Sequence, residues 1–113
     1  MLNSDLQVTN VTGNGFDWQV VDLGSKIPAT TRIVYVKVYV SATQANTWCS
    51  VRPYGSSSAP GIETHTAVAN VFSVAASMVG VNSSKIEFKC LTPPGSTINA
   101  AGIALWGYYE PGY

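Results

Sequence analysis

The stretch RIVYVKVYV, residues 32–40, constrains the fold more than any other part of the chain. Valine occupies every second position from Val34 to Val40, and the alternate positions hold Ile33, Tyr35, Lys37 and Tyr39. This period of two is typical of a β-strand, because successive side chains of a strand point to opposite faces of the sheet. The sequence therefore predicts a strand with an all-valine face in the core. Its aromatic face is expected to be partly covered by a loop or a neighbouring subunit.

Other alternating stretches indicate that the whole chain is built from short strands. They are FDWQVVDL, WCSVRPY, TAVANVFSVAA, KIEFKC and INAAGIALWGYYE, separated by turns rich in Gly, Pro, Ser and Asn. In KIEFKC the charged residues fall on one face and the apolar residues on the other, as expected for a strand with one wet side. Helix signals are nearly absent. We therefore predict an all-β fold, a single antiparallel β-sandwich or jelly roll of about 6–8 short strands, with a compact barrel as the alternative.

The length of 113 residues suits one domain with one core. Residues 16–113 are expected to form the β-sandwich domain. Residues 1–15 are too polar for core and are expected to form an N-terminal arm that straps onto a neighbour. The start, MLNSDLQVTN, has neither the basic nor the apolar region of a signal peptide, and no stretch is long and apolar enough for a membrane span. Synthesis in the cytoplasm, without a membrane partner, is the expectation.

The charge content restricts the classes of partner. Charged residues make up 11% of the chain, against about 25% in typical soluble proteins, and Ser, Thr, Asn and Gln occupy 32 positions. Six basic and six acidic residues give zero net charge, so many copies can crowd together with little repulsion. The basic residues are scattered, which argues against a nucleic-acid partner, since phosphate binding needs a local excess of Lys and Arg.

The inventory for catalysis is thin. The single histidine, His65, lies two residues after Glu63, and no other histidine could complete a metal site. We therefore predict no catalytic residues, no metal, no cofactor and no enzyme activity. Cys49 and Cys90 are separated by 41 residues, and the sequence leaves two alternatives for them, buried free thiols or a disulfide.

Aromatic residues are the candidates for binding, because they can anchor a protein partner or stack on a sugar ring. For Trp18 and Trp106, which sit in the middle of predicted strands, burial in the monomer is favoured over exposure. The predicted contacts to another subunit or partner are Tyr35, Tyr39, Trp48, Trp106, Tyr108, Tyr109 and Tyr113.

The order of several segments resembles that of small β-sandwich proteins found in tailed-phage virions. The matching pieces are WQVVDLGSKIP, TRIVYVKVYV, SVRPYGS, SSKIEFKC and IALWGYYE, which together span about Trp18 to Glu110. Each piece alone is generic sandwich sequence, so the likeness lies in their order. It implies a non-enzymatic structural role in the particle, often as a symmetric oligomer.

Within that resemblance, the absence of the heptads of a fibre shaft favours a capsid decoration protein. The expected partners are further copies of the chain, as a homotrimer, and the major capsid protein or another virion protein; the expected location is the virion. The alternative is a carbohydrate- or receptor-binding module, such as a head- or tail-fibre tip, with a surface glycan as ligand.

Overall fold

The computed structural model describes residues 6–56 and 61–109. All the regular secondary structure within these ranges is β-strand. The elements are β1 (Leu6–Gly13), β2 (Phe16–Asp22), β3 (Ile33–Ala42), β4 (Trp48–Pro53), β5 (Ile62–His65), β6 (Ser73–Gly80), β7 (Lys85–Leu91) and β8 (Ile98–Tyr109). The predicted all-β fold class is confirmed.

The strands form two four-stranded antiparallel sheets, in the orders β1-β8-β3-β6 and β2-β7-β4-β5. Pairing is nested: β1 pairs with β8, β2 with β7, β3 with β6 and β4 with β5. Each of the first four strands thus pairs with one of the last four, and the four pairs are divided between two facing sheets. This is the topology of an eight-stranded jelly roll. Two separate sheets also exclude the compact barrel.

The core lies between the sheets and is built around β3. Its all-valine face is completely buried, as the alternation predicted. The same core cluster includes Ile103 and Leu105 of the adjacent strand β8, and Ile86 and Phe88 of β7 in the facing sheet. Burying one such side chain contributes about 1.5–3 kcal/mol to the free energy of folding. The core therefore stabilises the central strands, which carry the outward-facing residues described below.

A disulfide between Cys49 and Cys90 joins two neighbouring strands inside the second sheet. The register of β4 and β7 places the two cysteines directly opposite each other, with their Cα atoms 4.2 Å apart. Both side chains are fully buried. Of the two alternatives that the sequence left open, the structure shows the disulfide.

A β-bulge in β2 separates two aromatic residues that the alternation placed on one face. The register shifts between Phe16 and Gln19, so the strand gains a residue relative to β7. Phe16 packs on the core, with its ring centroid 5.4 Å from that of Phe88. Trp18 lies on the outer face instead, with the Arg52 guanidinium 3.9 Å from its ring centroid.

A second bulge, in β8, reverses the orientation of the residues that follow it. Tyr35 pairs with Gly107 and Val36 with Leu105, which leaves Trp106 as the extra residue on β8. Trp106 itself follows the buried Leu105 and points outward from the first sheet, where its ring stacks on that of Tyr35. The prediction that both mid-strand tryptophans are buried in the monomer is wrong, since each is only half-buried on an outer face.

The segment predicted as an N-terminal arm contains β1, an edge strand that pairs with β8 of the same chain. The strand escaped prediction because two register shifts interrupt it, so Val8 and Val11, which pack against the core, are three residues apart instead of two. Residues 1–5 lie outside the described ranges, and the role of the arm in reaching a neighbour stays a prediction.

The strand predicted over TAVANVFSVAA begins only at Ser73. The residues before it form a loop in which Asn70 has a φ of 61° and donates its backbone N–H to the Ala42 carbonyl, at 2.7 Å. The Asn99 amide also donates to the Asn70 side chain, at 2.9 Å. A left-handed residue held in this way interrupts the extended conformation that the β-branched residues favour.

Candidate functional site

The outer face of the first sheet presents aromatic and apolar side chains to solvent. The strand register forms two separate regions on this face, one near each end of β3. Lys37 lies between them, at the edge of the second region. We call the first region the apolar patch; it consists of Ile33, Tyr35, Met78, Trp106 and Tyr109. We call the second region the groove; it is lined by Gln7, Asn10, Lys37, Tyr39, Phe72, Val74, Ala100 and Ala104.

Strand pairing assembles the apolar patch from three strands. Ile33 of β3 lies opposite Tyr109 of β8, and Tyr35 lies opposite Met78 of β6. The Met78 and Tyr109 side chains are 54% and 48% exposed. The rings of Tyr35 and Trp106 stack with centroids 5.0 Å apart, which holds two large aromatic side chains in fixed positions beside the exposed ones.

The groove has a volume of about 530 Å³ and runs over β8. Its floor is low because β8 has only alanine there, at Ala100 and Ala104. The amide side chains of Gln7 and Asn10 form the wall on the β1 side. The opposite wall is aromatic and aliphatic, so the groove combines an apolar surface with hydrogen-bonding groups.

The Tyr39 side chain crosses the groove and ties three strands together. Its hydroxyl accepts a hydrogen bond from the Gln7 amide at 2.6 Å and donates one to the Asn10 side-chain oxygen at 3.2 Å. Burial raises the pKa of the Tyr39 phenol above its ordinary value, and the Gln7 hydrogen bond offsets part of that rise. The phenol therefore stays protonated and can keep both bonds at neutral pH.

The outer face of the second sheet is different in character, because its charged groups are paired with one another and with aromatic rings. Arg52 and Glu87 form an ion pair at 2.7 Å. The Trp48 ring stacks on the imidazole of His65, with centroids 4.2 Å apart. Among residues 6–56 and 61–109 there is no group of three His, Cys, Asp or Glu side chains placed to hold a metal ion.

Four of the predicted interface residues lie on the outer face of the first sheet. Tyr35, Trp106 and Tyr109 meet in the apolar patch, and Tyr39 lies in the groove. Sequence reasoning missed the exposed Met78 beside them, although its position in the alternating stretch of β6 carried the signal. Whether these residues contact another molecule stays a prediction.

Two of the other three predicted interface residues are not brought to this face, and the third is not among the described residues. Trp48 lies on the opposite sheet, beside His65. Tyr108 packs against the core, because the β8 bulge reverses the orientation of the residues that follow it. Tyr113 lies outside the described residues.

Comparison with known proteins adds no relative: no family model, no curated protein and no solved structure matches this chain. Across the described ranges, no helix is long and apolar enough to cross a lipid bilayer.

Proposed function

We propose that the protein is a non-enzymatic structural protein of a tailed-phage particle, a capsid decoration protein that works as a homo-oligomer, with a trimer as the expected form. The observation that supports self-association is the apolar patch, whose Met78 and Tyr109 are about half exposed on a rigid sheet. Exposed apolar groups that cluster in this way mark binding surfaces in soluble proteins.

Subunit contact at the apolar patch would remove its side chains from water. Full burial of a large apolar side chain contributes about 1.5–3 kcal/mol, and aromatic side chains with fixed orientations lose little freedom on binding. The zero net charge of the chain means that long-range repulsion between copies is weak. Together these properties favour contact between identical subunits and stabilise the assembled state by mass action.

The particle context rests on the order of segments that resembles tailed-phage virion proteins. The jelly roll agrees with that context but does not select it, because the same architecture occurs in viral capsid and lectin domains. The partner would be the major capsid protein or another virion protein.

The oligomeric state of the purified protein tests the role of the apolar patch. We expect light scattering after gel filtration to give the mass of an oligomer, and the variant Met78→Glu to give that of a monomer. Val20→Glu is the matched control, because Val20 is 51% exposed but lies on a strand of the other sheet. A wild-type monomer at all concentrations, or an oligomer that survives Met78→Glu, contradicts the proposed interface.

Binding to shells tests the particle context separately. Empty capsids of the phage that encodes the protein should bind it saturably in cosedimentation, and their melting temperature should rise. If the protein oligomerises through the apolar patch but does not bind shells, the proposed interface stands and the decoration role is refuted.

A further inference from the structure

We propose that the groove is a binding site for a pyranose ring of a glycan, with Tyr39 and Phe72 as the stacking surfaces and Gln7 and Asn10 as hydrogen-bonding groups. The site does not depend on the proposed decoration role, because its residues are distinct from those of the apolar patch.

Tyr39 adds an aromatic ring to the floor that Ala100 and Ala104 form. It pairs with Gly102 of β8, and its hydroxyl reaches side chains of β1, the strand on the far side of β8. A Cβ atom built on Gly102 would lie 2.9 Å from the Cζ atom of the tyrosine ring. The hydroxyl end of the ring therefore lies directly over the Gly102 backbone, and the Tyr39 side chain lines the groove.

Phe72 stands beside this floor as a wall. Its ring is inclined by 62° to that of Tyr39, with centroids 6.0 Å apart, and its side chain is 57% exposed. An aromatic face carries partial negative charge, so it attracts the positively polarised C–H groups on the apolar side of a sugar ring. Because both rings line the groove at an angle to each other, one pyranose in the groove can contact both of them.

Gln7 and Asn10 are oriented before any ligand arrives. The Gln7 amide nitrogen donates to the Tyr39 hydroxyl and, at 3.2 Å, to the Ile103 carbonyl, and Asn10 accepts from the same hydroxyl. These bonds use the amino group of Gln7 and the oxygen of Asn10. The remaining groups are the Gln7 oxygen, an acceptor, and the Asn10 amino group, a donor, and together they suit adjacent sugar hydroxyls, which both donate and accept.

The size and charge of the groove agree with this ligand class. Its volume of about 530 Å³ falls within the range of small-molecule sites, roughly 300–1,000 Å³. The Lys37 ammonium, 4.4 Å from the centre of the Trp106 ring, places a positive charge at the rim. That charge disfavours cationic ligands and leaves neutral or acidic sugars as the expected class.

The test uses the full chain, with methyl pyranosides titrated by NMR and an immobilised glycan array as probes. We expect saturable binding to at least one sugar and a loss of affinity of about tenfold or more in Phe72→Ala, because a stacking surface is removed. Phe72 lies in a loop and is mostly exposed, so this variant should fold; circular dichroism checks it. Tyr39→Phe keeps the ring but releases the two amides, and a smaller loss is expected.

Met78→Ala is the control, since Met78 is as exposed as Phe72 on the same face but outside the groove. Its sugar affinity should equal that of the wild type, and monomeric Met78→Glu should also bind. The proposal is overturned by no binding to any probe, by unchanged affinity in Phe72→Ala, or by equal losses in Phe72→Ala and Met78→Ala. None of these outcomes depends on whether the protein decorates a capsid.

Discussion

At the scale of single residues, the crossing of Tyr39 over β8 determines what position 102 can hold. The tyrosine reaches from β3 to its hydrogen-bond partners on β1, and the strand between them must let the ring pass close to its backbone. Gly102 leaves that room because it has no side chain. One close contact therefore links the floor of the groove to the attachment of the edge strand.

We expect Gly102→Ala to lower the free energy of unfolding by about 1–3 kcal/mol, the usual cost of overpacking. The new Cβ would lie 2.5 Å from the Tyr39 hydroxyl and still closer to the backbone oxygen of Thr9. Urea denaturation measures the change. Gly80→Ala, also in a strand of this sheet, is the control, because its nearest neighbour, Pro53, is 3.7 Å away. Equal stability of the two variants would contradict the crossing.

The raised pKa of Tyr39 makes a prediction about alkaline stability. Burial makes the folded state hold the phenolic proton more tightly, so as pH rises through the ordinary value of 10.0 the unfolded chain ionises first. The stability from this group is therefore intact below pH 10 and is lost as pH rises through the folded pKa. We expect urea midpoints to fall more steeply above pH 10 in the wild type than in Tyr39→Phe. Between pH 7 and 8.5 the difference between them should be constant, and parallel curves at high pH would contradict this account.

At the scale of the strands, the turn between β6 and β7 is a position where a substitution is expected to raise stability. Ser83 and Ser84 both have positive φ, 55° and 61°, between Asn82 and Lys85, whose backbones exchange hydrogen bonds of 3.2 and 3.1 Å. This is the geometry of a type I′ turn, which favours glycine at its second central residue.

We expect Ser84→Gly to raise the free energy of unfolding by about 0.5–1 kcal/mol, because glycine adopts positive φ without a steric penalty. Thermal or urea denaturation measures the effect. In Ser77→Gly, within β6, the same replacement in an extended segment should be destabilising by a similar amount. A loss of stability in both variants would show that the turn is not strained.

The strands also show how far the sequence could predict this molecule. Strict alternation located the faces of β3 and β7 correctly, because the extra residues of the bulges lie on their partner strands, β8 and β2, and leave the alternation within β3 and β7 intact. Bulges defeated the same reasoning at Trp18 and Tyr108, since an extra residue reverses every orientation after it and leaves no mark in composition. The groove was beyond prediction for a different reason: Gln7 and Phe72 are distant in sequence and meet only through the strand order.

At the scale of the whole molecule, nested pairing sets the sequence separation between paired strands. The separation is smallest for β4–β5 and largest for β1–β8. Val51 pairs with Ile62 across a short connection, whereas Leu6 pairs with Leu105 near opposite ends of the chain. Loop-closure entropy therefore favours forming β4–β5 first and β1–β8 last, with β4–β7 between them. The Cys49–Cys90 disulfide joins β4 and β7, so in the oxidised chain the loop between these strands is already closed before folding begins.

Removing the cross-link should consequently slow folding more than it speeds unfolding. A loop of 41 residues corresponds to about 4 kcal/mol in the chain-entropy account, and most of this loss should appear in the folding rate if β4–β7 pairs before the transition state. Stopped-flow chevrons of the oxidised protein and of Cys49→Ala/Cys90→Ala measure the division. Reduced wild-type protein, which keeps both sulfur atoms, separates the cross-link from the small cavity that alanine leaves. An unchanged folding rate with faster unfolding would place β4–β7 pairing after the transition state and reverse the proposed order of assembly.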